Sequence, residues 1–146
     1  MRRLPPRARN GVSAMRLIVD TNVWVSAFLT PGGTPAQLLH EVKRGRVTLV
    51  YSPQIEAEYR EVLSRPKFNI VADLLVEFFA RLEEDGQRIT PEPIPLSKLP
   101  DPDDASFIAT ALAAGCPIVT GNARHFPADC GVEIISPAQC IERLVA

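Results

Sequence analysis

The sequence predicts an α/β protein, a three-layer α/β/α sandwich around a central, mainly parallel sheet of four to five strands. Four short apolar runs, at residues 16–20, 47–51, 117–120 and 132–135, have the length of buried strands. Helical patterns separate them, and this alternation is typical of crossovers that cover both faces of a parallel sheet. With 146 residues, 46% of them hydrophobic, the chain has enough apolar surface for one core and one domain.

The first part of the chain contains one strand followed by two helices. An apolar helix is expected over residues 23–29, directly after the strand at residues 16–20. The Pro-Gly-Gly sequence at residues 31–33 ends that helix. Thr34 followed by a proline predicts an N-cap, and the helix that it starts extends to about residue 44.

The middle of the chain again contains a hydroxyl residue followed by a proline, the same sign of a helix start. Ser52 and a proline follow the strand at residues 47–51, so a helix should begin there and stop at Pro66, with Tyr59 on its apolar face. Residues 68–84 predict another helix, because their aromatic and aliphatic side chains recur on one face. Four prolines in residues 90–100 then predict an extended connection.

The last third of the chain returns to alternating elements. A helix over residues 103–114 should end at Gly115, because glycine readily adopts the left-handed conformation that closes a helix. Two strands and a final helix complete the fold, at residues 117–120, 132–135 and 137–144, and Ser136 before a proline should cap that helix.

Charge is unevenly distributed along the chain. Residues 1–14 contain four arginines and no acid, and the rest of the chain has 12 basic and 17 acidic residues. Such an acidic body is not a general binder of polyanions, so any contact with nucleic acid needs a local patch. We expect residues 1–14 to be a disordered basic extension and residues 15–146 to form the single domain.

Cysteine content and hydropathy indicate a cytoplasmic protein. The three cysteines are odd in number and contain no CxxC pair, which argues against a disulfide framework and against a zinc site. No apolar run approaches the roughly 18 to 20 residues that a membrane span needs. We therefore expect a reducing compartment and no membrane contact.

Three carboxylates lie within residues 101–104, directly before an apolar helix. One aspartate is enough to cap a helix, and additional anions repel each other unless a cation lies between them. Two further acids stand out, Asp20 at the end of a strand and Glu58 in an amphipathic helix. We expect Asp20, Glu58 and Asp104 to meet around a divalent metal.

The expected location of this site is the edge at which parallel strands end, where ligands of such folds bind. Carboxylate and amide oxygens suit Mg²⁺ or Mn²⁺ rather than zinc. Hard-metal carboxylate sites activate water and stabilise charge on phosphate, so a nuclease is the simplest interpretation. The candidate supporting residues are Thr21, Asn22, Asp101, Asp103 and Asn122.

Basic side chains near these acids are candidate contacts to RNA phosphates, namely Arg60, Arg65, Lys67 and Arg124. Their alternative is an ordinary solvated surface. His125 is a loop residue that could also touch a phosphate.

Each acid has a purely structural alternative as well. Asp20 could form a turn after its strand, and Glu58 could face solvent as its acidic neighbours do. Asp104 could cap its helix, although Asp103 is the better placed cap.

Four motifs resemble those of the PIN domain, a metal-dependent ribonuclease fold. They occupy residues 18–27, 55–68, 101–111 and 119–126. The resemblance extends over roughly residues 15–140 and is closest to the VapC-like toxin components of toxin–antitoxin systems.

This resemblance implies that Asp20, Glu58 and Asp104 are the catalytic and metal-binding acids, with Thr21 or Ser26 as an accompanying hydroxyl. It implies an endoribonuclease that hydrolyses RNA phosphodiester bonds, acts as the toxin of a type II toxin–antitoxin pair, forms a homodimer and is bound by a cognate antitoxin. It also implies that the fold is PIN-like.

Asn122 departs from the family, which often has a fourth acid at this position. An amide contributes no charge, so the number of metals stays open. The main alternative is therefore a PIN-like domain that binds RNA or a partner without catalysis. A phosphatase with Asp20 as covalent nucleophile is less favoured, because it needs a second aspartate where the chain has Asn22.

Overall fold

The computed structural model describes residues 14–93, 104–127 and 130–145. Within these ranges the centre of the molecule is a parallel sheet of five strands, which confirms the expected fold class. The strands are β1 (Met15–Val19), β2 (Val47–Tyr51), β3 (Gln87–Arg88), β4 (Ile118–Val119) and β5 (Ile134–Ile135). The helices around the sheet are α1 (Thr21–Leu29), α2 (Thr34–Lys43), α3 (Pro53–Leu63), α4 (Ala72–Asp85), α5 (Ala105–Ala114) and α6 (Pro137–Val145).

The strands lie in the order β3-β2-β1-β4-β5, so β1 is central and the two outer strands have two residues each. The chain builds β2 and β3 on one side of β1, and α5 then crosses back to β4 on the other side. The direction of winding therefore reverses between β1 and β4. In open parallel sheets this reversal leaves a crevice at the carboxyl ends of the two strands.

The core lies between the central strands and the helices that cover them. Leu17, Ile18 and Val19 of β1 are fully buried, as a strand covered on both faces requires. Phe78 of α4 packs edge-on against Trp24 and Tyr59, with ring centroids 5.3 Å and 6.2 Å away. These contacts fix α1 and α3 next to each other behind the carboxyl end of β1.

Several predicted helix ends are confirmed. Ser52 accepts a hydrogen bond from the backbone N–H of Ile55 at 3.2 Å, which is the N-cap expected for α3. Gly115 ends α5 with a φ of +66°. Ser136 caps α6 by accepting a hydrogen bond from the Gln139 N–H at 3.1 Å.

Four details of the prediction are wrong. Helix α1 begins at Thr21 rather than at residue 23. The N-cap of α2 is Gly33, and Thr34 is already helical. Helix α4 begins at Ala72 rather than at residue 68, because residues 66–68 form a 3₁₀ turn that ends at Asn69 with a φ of +50°. The sequence also gave no indication of β3, which has no apolar run and pairs with β2 through backbone hydrogen bonds.

Other predictions fall outside the described residues. These are the basic extension, apart from residue 14, and residues 94–100 of the proline-rich connection. Asp101 and Asp103 also fall there. No helix in the described part of the chain is both long enough and apolar enough to span a membrane.

Candidate functional site

The candidate site lies in the crevice between the carboxyl ends of β1 and β4. Asp20 directly follows β1, and its backbone N–H donates to the carbonyl of Val119 at 2.9 Å. Thr120 directly follows β4, and its hydroxyl donates to the Asp20 carboxylate at 2.8 Å. Both side chains are buried. Parallel pairing of the two strands therefore joins two residues that are 100 positions apart in the sequence.

Asp20 lies in an environment that disfavours the charged form of its carboxyl group. Its burial raises the pKa of the carboxyl group, since a carboxylate loses its hydration there. The Thr120 hydroxyl, the backbone N–H groups of Thr21 and Asn22, and the charge of His125 act in the opposite direction but do not outweigh burial. Among the described residues, the groups that lower this pKa include no lysine or arginine. A cation beside Asp20 would relieve the cost of burying its charge.

Glu58 joins the same crevice through Thr21. The Thr21 hydroxyl donates a hydrogen bond to the Glu58 carboxylate, which links α3 to the start of α1. The acidic neighbours on α3 point elsewhere, since Glu56 pairs with Arg60 at 2.9 Å and Glu61 pairs with Arg65 at 2.8 Å. Of the three acids on this helix, Glu58 is the one that contacts the residue next to Asp20.

Tyr59 supports this arrangement from within the core. Its hydroxyl donates to the backbone carbonyl of Val19, the last residue of β1. Burial raises the pKa of the phenol, and the charges of Asp20 and Glu58 raise it further. The sequence predicted Tyr59 only as an apolar contact, although a buried tyrosine hydroxyl usually needs a partner.

Asp104 begins α5 and is buried. At the other end of that helix, the Ala114 carbonyl accepts a hydrogen bond from Arg16 at 2.9 Å, near the amino end of β1. A helix of ten residues is about 15 Å long. Helix α5 is therefore antiparallel to the strands, and it starts on the side of the sheet where the strands end. Asp104 is its N-cap residue by position but makes no side-chain capping hydrogen bond.

The three expected acids do not form a closed ion site in this structure. Among the residues that the structure describes, no three acidic, histidine or cysteine side chains lie close enough together to hold one metal ion. Of the expected supporting residues, Thr21 contacts Glu58, Asn22 is exposed, and Asn122 bonds to Thr120 and His125.

The four basic residues that were expected to contact RNA differ from one another in their surroundings. Arg60 pairs with Glu56 and with Glu83 at 2.9 Å, and its guanidinium lies 4.2 Å from the centre of the Phe79 ring. Arg65 pairs with Glu61. Lys67 lies over the Phe68 ring at 5.1 Å, and Arg124 is exposed beside His125. A phosphate that bound Arg60 or Arg65 would have to compete with carboxylates that already hold these side chains.

Comparison with known proteins gives a family and a fold. The profile of the PIN domain family matches residues 16–124 of the chain. No curated protein sequence matches it.

Three solved structures are similar to the chain. PAE2754 from Pyrobaculum aerophilum is 16% identical, with a TM-score of 0.54 over 90% of both chains. FitAcB from Neisseria gonorrhoeae is 20% identical, with a TM-score of 0.52 over 84% of this chain and 98% of that one. VapBC2 from Rickettsia felis, bound to a DNA fragment from their promoter, is 15% identical over the same shares, with a TM-score of 0.51. At these identities the likeness is one of fold.

Proposed function

The chain belongs to the PIN domain family, and from this premise we propose that it is an endoribonuclease that depends on Mg²⁺ or Mn²⁺ and hydrolyses RNA phosphodiester bonds. We further propose that it is the toxin of a type II toxin–antitoxin pair and acts in the cytoplasm. The observation that carries the proposal is a pair of hydrogen bonds where the strand order reverses, from Thr120 to the buried Asp20 and from Thr21, the residue next to Asp20, to Glu58.

The chemistry of the donor set fits a hard divalent cation. Asp20, Glu58 and Asp104 offer only oxygen ligands, which Mg²⁺ and Mn²⁺ prefer. The raised pKa of Asp20 adds to the fit, because a cation beside the carboxylate offsets the cost of its burial. Since no three described acids share an ion-sized space, Glu58 and Asp104 would approach Asp20 when the ion binds.

The protein's own residues prepare this site. When bound, the ion would lower the pKa of a coordinated water and neutralise charge on the phosphate. Thr120 orients the Asp20 carboxylate, and Thr21, the residue after Asp20, donates a hydrogen bond to Glu58. Tyr59 fixes the backbone that carries Asp20 by donating to the preceding carbonyl. These contacts reduce the reorganisation that substrate binding would otherwise require.

The proposed partners follow from the family and from the similar structures. The VapBC2 structure contains a DNA fragment from the promoter of that pair, which supports an antitoxin partner for this chain. We propose that a cognate antitoxin binds the protein and that the protein forms a homodimer.

The proposal is tested by incubating a structured RNA with purified protein in EDTA, Mg²⁺ or Mn²⁺. We expect cleavage only with the divalent ion, and none by Asp20→Asn or Asp104→Asn. Asp73→Asn is the matched control, because Asp73 is an exposed acid in the first turn of α4. This control should cleave like the wild type.

Thermal unfolding gives a second measurement that does not depend on activity. Mn²⁺ should raise the Tm of the wild type, because an ion that binds only the folded state stabilises it. It should not raise the Tm of Asp20→Asn. Equal cleavage by wild type and both acid variants would refute the nuclease. No cleavage by folded protein that is free of antitoxin would favour the non-catalytic binding domain.

A further inference from the structure

The loop after β4 contains a hydrogen-bonded pair that the proposed mechanism does not use. The Asn122 side-chain amide lies 3.0 Å from Nε2 of His125. The backbone N–H of Asn122 donates to the Thr120 hydroxyl at 3.0 Å, and that hydroxyl donates to Asp20. His125 is thereby connected to Asp20 through two residues of its own loop.

With the Asn122 amide oriented as it is here, this contact fits only one tautomer of a neutral His125. The Asn122 NH₂ group can only donate, so Nε2 of the imidazole must accept. A neutral imidazole that accepts at Nε2 carries its hydrogen on Nδ1. Asn122 therefore leaves His125 with one outward donor, the Nδ1–H group. An aspartate at position 122 would only accept, and it would bond to the opposite, Nε2–H form.

His125 lies at the edge of the proposed cleft. Its side chain is exposed, and it lies on the same loop as Thr120, whose hydroxyl donates to Asp20. Nδ1 has no partner among the residues that the structure describes. A hydrogen-bond donor beside buried acids can bind a group that the acids themselves repel, such as a phosphate oxygen.

We propose that Asn122 is a positioning residue that holds His125 as an Nδ1–H donor to a backbone phosphate of the bound RNA. This inference rests on the proposed nuclease function and gives position 122 a role other than metal binding. The residue that stands where the family often has an acid then contributes to substrate binding through its neighbour. His125 is the substrate contact, and Asn122 acts through it.

The first test is the binding of a fluorescent single-stranded RNA oligonucleotide in EDTA, which excludes any effect of metal. His125→Ala should weaken binding about five- to tenfold, the usual effect of losing one hydrogen bond. Asn122→Ala should cause a similar loss, and the double variant should lose no more than either single one. His40→Ala is the matched control, since His40 is an exposed histidine on α2, and it should bind like the wild type.

A matched DNA oligonucleotide identifies the group that is contacted. A phosphate is common to both nucleic acids, so His125→Ala should weaken RNA and DNA binding by the same factor. A loss restricted to RNA would overturn the phosphate assignment, because the 2′-hydroxyl distinguishes RNA from DNA.

Nitrogen-15 NMR of the histidine rings tests the role of Asn122 without RNA. The wild type should show His125 protonated on Nδ1, and Asn122→Ala should shift the ring towards a mixture of tautomers. An Nε2–H ring in the wild type would overturn the inference. So would RNA binding by His125→Ala at wild-type strength, and that result would leave the nuclease proposal intact. A wild type that binds no RNA in EDTA would overturn this inference, and a wild type that also cleaves no RNA with Mg²⁺ or Mn²⁺ would overturn the nuclease as well.

Discussion

Polar side chains have opposite roles at the two ends of the sheet. At the amino end, Arg16 donates to the side chain of Gln87 at 2.8 Å and to the Ala114 carbonyl at 2.9 Å. Nearby, Arg46 pairs with Glu41 at 2.9 Å and donates to the carbonyl of Leu144. These bonds tie α5, α6 and β3 to the central strands. The amino end therefore uses its charges for stability.

The carboxyl end of the sheet contains a buried acid, and burial disfavours the charged form of its side chain. Asp20 is held by a threonine hydroxyl and backbone N–H groups, and burial still raises its pKa. A protein gains no stability from such an arrangement, so its presence at the crevice points to function. The comparison predicts that substitutions at the amino end mainly change stability, while substitutions at the carboxyl end mainly change activity.

After the loss of cleavage expected for Asp20→Asn and Asp104→Asn, the largest effect on cleavage is expected at Glu58. Glu58→Gln keeps the size of the side chain and removes the charge that the proposed metal site needs. Cleavage should fall by about 10²-fold or more, consistent with the several kcal/mol that metal-assisted stabilisation supplies. Glu61→Gln is the control on the same helix, because Glu61 pairs with Arg65 at the surface. Equal cleavage rates for the two variants would remove the distinction between the two acids.

The next effect is expected at the amino end. Arg16→Met removes two hydrogen bonds from a charged donor and should lower the free energy of unfolding by about 2 kcal/mol. Cleavage per folded molecule should not change. Denaturant unfolding and RNA cleavage are measured on the same samples, with Arg44→Met as the exposed control. A large loss of activity in folded Arg16→Met would contradict the division between the two ends.

A smaller effect on stability is expected for Asp20→Asn, and its sign is opposite to that of Arg16→Met. Because the pKa of Asp20 is raised above its ordinary 3.8 in the folded state, the folded protein binds that proton more tightly than the unfolded chain does. This contribution to stability falls as the pH rises from about 3.8 through the higher folded pKa. In EDTA at neutral pH the variant should therefore be more stable than the wild type.

Thermal unfolding of both proteins across this pH range measures the Asp20 effect. The difference in Tm between variant and wild type should grow with pH and then become constant. A wild type that is more stable than Asp20→Asn at neutral pH in EDTA would show that the carboxyl end is stabilising after all.

The smallest effect is expected at the helix surface near the site. Arg65 pairs with Glu61 four residues earlier, and both side chains are largely exposed. Arg65→Ala should change stability by less than about 0.5 kcal/mol, because exposed ion pairs contribute little. Its effect on RNA affinity decides whether Arg65 is a phosphate contact, and the slope of affinity against salt measures that contact directly.

The strength of the sequence prediction followed the strength of the local signal. The strands at β1 and β2 and the helix caps at Ser52, Gly115 and Ser136 were predictable, because each depends on a few adjacent residues. Strand β3 was not predictable. Gln87 and Arg88 have neither alternation nor β-branched side chains, and their pairing depends on β2, whose partner residues are far away in the sequence.

The site was predictable in its residue types but not in its bonds. Asp20 and Thr120 were each expected at a strand end, but only the pairing of β1 with β4 brings them together. Likewise, Tyr59 lay on a predicted apolar helix face, and nothing local indicated that its hydroxyl would reach Val19. Hydrogen bonds between distant segments depend on which strands are neighbours. The sequence pattern predicts the class of fold but not the order of its strands.

The two-residue outer strands have a consequence for how this protein behaves at high concentration. An exposed strand edge presents unpaired backbone groups to which another chain can add, and long flat edges lead to aggregation. Within the described residues, β3 and β5 offer only two residues each for such addition. Polymerisation by strand addition is therefore disfavoured, and the helical faces are left as the surfaces through which this protein can associate.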